Sequence, residues 1–328
     1  MKTLITTIPF GEVNKKPLDL LNKNKIIFDL NPLGKKLTEE DLINLIEDYE
    51  ILIAGTEPIS SRVIESAKNL KLISRVGIGL DNIDLSYCKK KNIKVTYTPN
   101  APAPAVAELT IANILSTLRK THLANLNLHD KNWHRYFGRD LNQTRIGIIG
   151  IGRIGSLVID KLLALGVEVI FINDLEEDKK LSIKYKNKLV WSSKEDIYKN
   201  ADLISLHIPL NHSTKDLINL DTIKTMKKEV ILINTSRGGI INEEDLYYAL
   251  KNQLISSAAI DVFESEPYFG NLSLLNNCLL TSHMGSMSMT CRSNMEIEAT
   301  EEVIRFLNNK PLKELVPEYE YDISIKQR

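Results

Sequence analysis

Short apolar runs and amphipathic stretches take turns along almost the whole chain, and that alternation limits it to an α/β fold built on parallel sheet covered on both faces. Residues 4–8 and 25–28 read as strands, a helical pattern spans 38–48, and a further strand spans 51–54. The series continues with a helix over 60–67, a strand over 72–76, a helix over 84–91 and a strand over 94–97. Thr38 followed three positions later by Asp41 matches an N-terminal helix cap, which supports this register. The texture then changes at Thr98-Pro99-Asn100-Ala101-Pro102-Ala103-Pro104, where the prolines forbid ordinary helix or central strand, so a hinge is expected there. A long helix is expected over 106–123, and a polar, aromatic-spotted segment through Trp133, His134, Tyr136 and Phe137 follows it. A second alternation runs from Arg145 through strands at 146–149, 167–172, 203–206, 230–233, 255–260 and 278–280, and ends in a helix over 290–309.

At 328 residues the chain has room for about two domains, each with its own core. Its 42 Lys plus Arg balance 42 Asp plus Glu, so no net field draws it to a polyanion, and nucleic acid is not an expected partner. Cys88, Cys278 and Cys291 are isolated, with neither the number nor the spacing of a disulfide framework or a metal site. The apolar start is cut off by Pro9 and Gly11, too short for a signal peptide, and no stretch reaches the roughly 20 apolar residues of a membrane span. A cytoplasmic protein without membrane partners or metal is the expectation.

Gly150-Ile151-Gly152-Arg153-Ile154-Gly155 lies between the strand at 146–149 and a helical pattern at 154–165. Backbone N–H groups and the positive end of a helix can hold a pyrophosphate only where no side chain blocks close approach, which is what glycines at this spacing allow. Asp174 closes the next strand, where a carboxylate can accept hydrogen bonds from the adenosine ribose and repel the extra phosphate of NADP, so NAD is the expected cofactor. Lys179 and Lys180 follow the acidic run Glu176-Glu177-Asp178 and read as solvated.

Three polar groups follow three later strands: Arg237, Glu266 and His283. Ligands of open parallel sheets gather beyond the carboxyl ends of the strands, where all three are expected. Reducing a 2-keto acid requires a cation for its carboxylate, a proton donor for the keto oxygen, and a hydride. Arg237 offers a planar fork for carboxylate and carbonyl oxygens. A protonated His283 can donate to the developing alkoxide, and Glu266 within reach would favour the imidazolium and orient the ring. Singly, each has a plainer reading as a turn arginine, a surface carboxylate or a structural histidine; three matched groups in one nucleotide-binding unit argue for chemistry. His207 competes for the proton role, but no carboxylate partner is evident and cofactor packing is the better reading. His122, His129, His134 and His212 read as surface or linker residues, and the methionines from Met284 to Met295 as packing against the final helix, with pocket lining as the alternative.

The chain resembles the D-isomer-specific 2-hydroxyacid dehydrogenases, particularly their phosphoglycerate dehydrogenase-like branch. The motifs that carry the likeness are Ser74-Arg75-Val76-Gly77-Ile78-Gly79-Leu80-Asp81-Asn82-Ile83-Asp84, Val106-Ala107-Glu108-Leu109-Thr110, the glycine loop, Ser205-Leu206-His207-Ile208-Pro209, Asn234-Thr235-Ser236-Arg237-Gly238, Asp261-Val262-Phe263-Glu264-Ser265-Glu266-Pro267 and Thr281-Ser282-His283. The resemblance implies two parallel-sheet domains, Rossmann-like and flavodoxin-like, with an NAD domain over residues 100–286 inserted into a substrate domain of residues 1–99 and 287–328. It implies Arg237, Glu266 and His283 as the catalytic set, with Glu266 rather than Glu264 as the histidine's partner. Arg153 and Ile154 would touch the pyrophosphate, Asp174 the ribose and Asp261 the nicotinamide amide, with Thr235 and the segment through Gly285 and Ser286 lining the cofactor site. Gly77, Ile78 and Gly79 look like the family's carboxylate-binding loop, to which Arg75 adds charge or from which it turns to solvent.

Ser282 departs from the proline that commonly precedes the family's histidine, and the chain ends soon after its last helix, so regulation by a serine-binding domain is not expected. The implied activity is NAD-dependent interconversion of a D-2-hydroxy acid and its 2-keto acid by a homodimer, with contact surfaces at the 106–123 helix and around Trp133. A glyoxylate or hydroxypyruvate reductase is the alternative within the class, and a non-catalytic NAD-sensing protein is the alternative outside it. Lys15, Lys16, Lys35 and Lys36 are either phosphate ligands or solvated surface.

Overall fold

Helices start where a short polar side chain can accept from an otherwise unpaired backbone N–H. Thr38 forms a full capping box with Asp41 ahead of helix Glu39–Ile46, while Ser60, Asp84, Ser193, Asn219, Asn242 and Ser288 cap later helices by accepting a single backbone N–H through the side chain. The computed structural model describes residues 1–177, 179–185, 188–318, 320 and 321. It divides into two compact units, one made of Met1–Pro102 with Ser286–Arg328 and the other of Ala103–Gly285. The expected crossings stood at 99/100 and 286/287.

The first unit holds a five-stranded parallel sheet of β1 (Lys2–Ile5), β2 (Ile27–Leu30), β3 (Ile51–Ala54), β4 (Leu72–Arg75) and β5 (Lys94–Thr96) in the order β2-β1-β3-β4-β5. That is the flavodoxin-like order. β3 and β4 are buried along their whole length, whereas β2 lies at the edge and is mostly exposed. The long helix Met289–Leu307 packs on β3, β4 and helix Lys16–Lys23. A buried network pins its first turns: Arg292 Nε donates to Glu296 Oε1 at 2.7 Å, Arg292 Nη2 donates to Thr7 Oγ1 at 2.8 Å, and Gly11 N–H donates to Glu296 Oε2 at 2.8 Å.

The second unit holds a seven-stranded parallel sheet of β6 (Ile146–Ile149), β7 (Ile170–Asn173), β8 (Leu189–Trp191), β9 (Leu203–Leu206), β10 (Ile231–Asn234), β11 (Ser257–Ile260) and β12 (Cys278–Leu280). Their order is β12-β11-β10-β9-β6-β7-β8, the doubly wound Rossmann order with one strand added, and it reverses between β6 and β9. Because successive side chains point to opposite faces, Leu232, Ala258 and Ile260 enter one core while Ile231, Ile233 and Ala259 enter the other.

Several expectations need correction. The prolines of 98–104 do not exclude helix: helix Pro102–Arg119 starts at one of them and holds Pro104 in its first turn, where a missing N–H breaks no intrahelical bond. The expected 106–123 helix does not run through, because Lys120 adopts a left-handed conformation (φ 54°) and a separate helix, Thr121–His129, begins after it. Helices Lys16–Lys23, Lys179–Tyr185 and Lys194–Asn200 and strand β8 were not read from the pattern. Among the described residues no helix is long and apolar enough to cross a membrane.

Candidate active site

The glycine loop leaves β6 at the point where the sheet order reverses, and its three glycines meet three different demands. Gly150 has φ +94°, and a Cβ there would lie 2.4 Å from the His207 carbonyl oxygen at the end of β9. A Cβ on Gly155 would lie 2.0 Å from the Gly150 carbonyl oxygen, so the helix Arg153–Ala164 can approach the strand only without a side chain. Gly152, the N-cap residue of that helix, faces open space, with no atom within 4 Å of an added Cβ. A positive helix end beside an open cradle suits a pyrophosphate. Arg153 is exposed there, and Ile154 packs against the core. Asp174 follows β7; its Oδ2 accepts from Ile151 N–H at 2.6 Å and its Oδ1 from Leu175 N–H at 2.7 Å. The carboxylate is exposed and tied to the glycine loop itself. Asp178 and the side chain of Lys179, assigned to a solvated run, lie outside the described residues.

Arg237, Glu266 and His283 follow β10, β11 and β12 on one edge of the second unit's sheet. His283 Nδ1 lies 2.8 Å from Glu266 Oε2 and 3.0 Å from Oε1, so the two side chains form a pair. Glu266 Oε1 also accepts from Phe263 N–H at 3.1 Å. His283 takes a left-handed backbone conformation (φ 50°), unusual for a residue other than glycine, and exposed Ser282 precedes it. The turn bearing Arg237 is organised by Asn234, whose Oδ1 accepts from Ser236 N–H at 3.0 Å and whose Nδ2 donates to Arg237 O at 2.9 Å. Gly238 brings that turn against the Glu266 loop: a Cβ there would sit 2.0 Å from the Phe263 carbonyl carbon. Thr235 is buried with its Oγ1 2.8 Å from Thr110 Oγ1.

Asp261 does more than its sequence context announces. It is 1% exposed and gathers the histidine loop, accepting from Thr281 Oγ1 at 2.5 Å, Met284 N–H at 2.9 Å and Gly285 N–H at 3.0 Å. Its own carbonyl accepts from His283 N–H at 2.7 Å. Sequence reasoning assigned it to a nicotinamide contact and missed this organising task, as it missed Asn234 and Gly238. An Asn closing a strand two residues before a Ser, the pattern of an Asx turn, was the available signal for Asn234.

His207 follows β9 with Nε2 2.9 Å from Ser205 Oγ and with a buried Nδ1 that has no partner among the described residues. Burial pushes the imidazole down to about 4, so the ring is neutral near pH 7 and unsuited to donating a proton. An orphaned Nδ1 beside the glycine loop is one more polar group awaiting a ligand, which fits NAD. His122 is half-buried rather than a surface residue, and burial lowers its pKa. Met284, Met287 and Met289 are exposed, so only Met295 of the group discussed packs in the core.

In the first unit Arg75 does not face solvent. It is buried, donating through Nε to Gly79 O at 3.2 Å and through Nη1 to Val76 O, so it braces the loop it precedes. Gly77 N–H is engaged by Thr98 Oγ1 at 2.7 Å. Ser286 also falls in this unit and is half-buried.

A glycine-loop cradle with an exposed carboxylate beside it, on the same sheet edge as an arginine and a carboxylate-held histidine, fits a nicotinamide-dependent oxidoreductase. Residues 111–285 match the family model described as D-isomer specific 2-hydroxyacid dehydrogenase, NAD binding domain. A hydroxypyruvate reductase of Thermotoga maritima is 35% identical over 295 residues, which cover 88% of this chain and 93% of that protein. A D-3-phosphoglycerate dehydrogenase of Methanocaldococcus jannaschii is 36% identical over 285 residues, 85% of this chain but 54% of that protein, so the chain spans about half of that relative. A crystal structure of a Thermus thermophilus protein superimposes with a TM-score of 0.87 at 30% identity, covering 97% of this chain and all of the other. The chain belongs to the D-isomer-specific 2-hydroxyacid dehydrogenases, and NAD is its cofactor.

Proposed function

We propose that the chain interconverts a D-2-hydroxy acid and its 2-keto acid in the manner of phosphoglycerate dehydrogenase, with Arg237, Glu266 and His283 as the reacting set. Nicotinamide supplies or accepts the hydride when bound. Glu266 engages His283 at Nδ1, which leaves Nε2 to give a proton to the keto oxygen in reduction and to take it back from the hydroxyl in oxidation. The nearby carboxylate orients the ring. Arg237 holds the substrate carboxylate and steadies the carbonyl oxygen. In the first unit we assign the carboxylate-binding loop to the N–H groups of Ile78 and Gly79, with Gly77 supplying the backbone turn and Arg75 bracing it from behind. Around the cofactor we assign Gly150, Gly152, Arg153, Ile154 and Gly155 to the pyrophosphate and Asp174 to the ribose, with His207, Thr235, Asp261, Gly285 and Ser286 about the nicotinamide end.

The Glu266–His283 pair carries this reading. A panel of 2-keto acids that includes phosphohydroxypyruvate, hydroxypyruvate and glyoxylate, followed by NADH oxidation, tests it; NADH binding with no turnover on any of them would refute it. The second reading, a hydroxypyruvate reductase, has support of its own in the relative of that name, 35% identical over 88% of this chain.

Arg237→Lys should raise the keto-acid KM by roughly tenfold or more, because an ammonium cannot reproduce the bidentate fork; an unchanged KM would put the clamp elsewhere. Asp174→Asn should keep an acceptor for Ile151 N–H but lose the charge that repels a 2′-phosphate. The NADH to NADPH ratio of kcat/KM should then fall by roughly tenfold, and an unaltered ratio would contradict the ribose assignment.

We further propose a homodimer formed through the segment after helix Pro102–Arg119. Helix Thr121–His129 has no buried residue, and Trp133 and Phe137 beyond it are 81% and 96% exposed, so this stretch offers apolar area to a second copy. The buried, unpaired Cys88, Cys278 and Cys291 suit a reducing compartment, the ground for proposing a cytoplasmic location.

A further inference from the structure

The loop that carries Glu266 is anchored at two points that lie outside the reacting set. Asp261 N–H donates to Asn234 O at 3.0 Å, and Glu264 N–H donates to Glu243 Oε1 at 2.7 Å. Glu243 is the first residue of helix Glu243–Lys251, whose N-cap, Asn242, accepts from Asp245 N–H at 3.1 Å, so the second anchor sits on a capped, rigid element. Between the anchors, Phe263 N–H donates to Glu266 Oε1 and the Phe263 ring stacks on Tyr268 at 4.1 Å between centroids. Glu266 is thus oriented against a peptide whose immediate neighbour is fixed by Glu243.

We propose that Glu243 is a positioning residue for the Glu266–His283 pair: its carboxylate holds the Glu264 peptide, and through it the Phe263 N–H that orients Glu266. The inference rests on the reading of Glu266 and His283 as the proton-handling pair. Glu243 never needs to touch substrate or cofactor. Its carboxyl is raised above the usual range, by burial first and then by the negative charges of Glu264, Glu244 and Glu266, with the Glu264 N–H bond opposing. A glutamate opening a helix also has a merely structural use, because negative charge favours the N-terminal turn. The two roles predict different kinetics.

The experiment compares the native chain with Glu243→Ala, Glu243→Asp and Glu243→Gln by steady-state kinetics and by amide hydrogen exchange. Losing the acceptor in Glu243→Ala should lower kcat by roughly tenfold, the scale of one hydrogen bond, with KM for NADH unchanged. Exchange should quicken over residues 261–267 and stay native in strand β10. Glu243→Gln, which keeps a carbonyl acceptor, should restore most of kcat and the native exchange. A folded Glu243→Ala protein with native kcat and native exchange over 261–267 overturns the proposal, as does a Gln variant no better than Ala. If the Ala variant fails to fold, Glu243→Asp, with its acceptor drawn back by one methylene, carries the same expectations. If the native chain binds NADH but reduces no keto acid, the proposed function falls, and the exchange data alone then decide whether Glu243 fixes the loop.

Discussion

Replacing His283 with Asn should leave a folded protein that binds NADH normally and turns over 2-keto acid at least about a hundredfold more slowly, the usual scale for losing a general acid. Asn is the informative choice for a structural reason. His283 sits at φ 50°, a conformation that Asn adopts more readily than most residues, so the substitution removes the imidazole without straining the backbone. The amide can still reach Glu266, which keeps the loop's hydrogen bonding nearly intact, but it has no proton to transfer at neutral pH. Stopped-flow hydride transfer, NADH titration and thermal melting together check the expectation. Native turnover in a folded variant would remove His283 from the reaction.

Gly155→Ala should disable the protein by a different route, through the coenzyme. The new methyl carbon would fall 2.0 Å from the Gly150 carbonyl oxygen, a backbone atom that cannot swing aside like a flexible side chain. Helix Arg153–Ala164 and the loop must therefore move apart, at a cost of about 1–3 kcal/mol in stability, as for other overpacked interiors. That displacement also spoils the N–H groups at the helix end. With backbone hydrogen bonds to a charged group worth roughly 1.5–3 kcal/mol each, NADH affinity should drop by at least about tenfold. Melting curves and fluorescence titration with NADH read the two effects separately. A variant of native stability and affinity would mean that the helix does not need this close approach.

Apart from β8, the two sheets were legible because their strands are apolar runs of the right length set between helical patterns, and the capping box at Thr38 marked its helix. The glycine loop and Asp174 were legible for a related reason: their spacing is dictated by local geometry between one strand and the next. The break at Lys120 was not, because a left-handed residue between two helical stretches leaves the amphipathic period almost undisturbed. Prolines misled at 102 and 104, where position within the first turn matters more than the presence of the ring. What escaped notice in the site, the organising task of Asp261 and the parts played by Gly238 and Glu243, acts on residues distant in sequence or on neighbouring backbone. Asp261 reaches residues 281–285, Gly238 meets Phe263, and Glu243 meets Glu264. Such partnerships exist only once the strands lie side by side, so a linear reading can name candidate side chains and still miss what holds them.

The late place of helix Met289–Leu307 in the chain sets when, during synthesis, the five-stranded sheet can be covered. The strands of the five-stranded sheet emerge within the first hundred residues, yet the helix that covers β3 and β4 is made only after residue 285. The nascent protein can complete its seven-stranded half while the other half still waits with an apolar sheet face uncovered. During that interval the uncovered sheet face is open to misassociation, as exposed apolar surface in partly folded multidomain chains is.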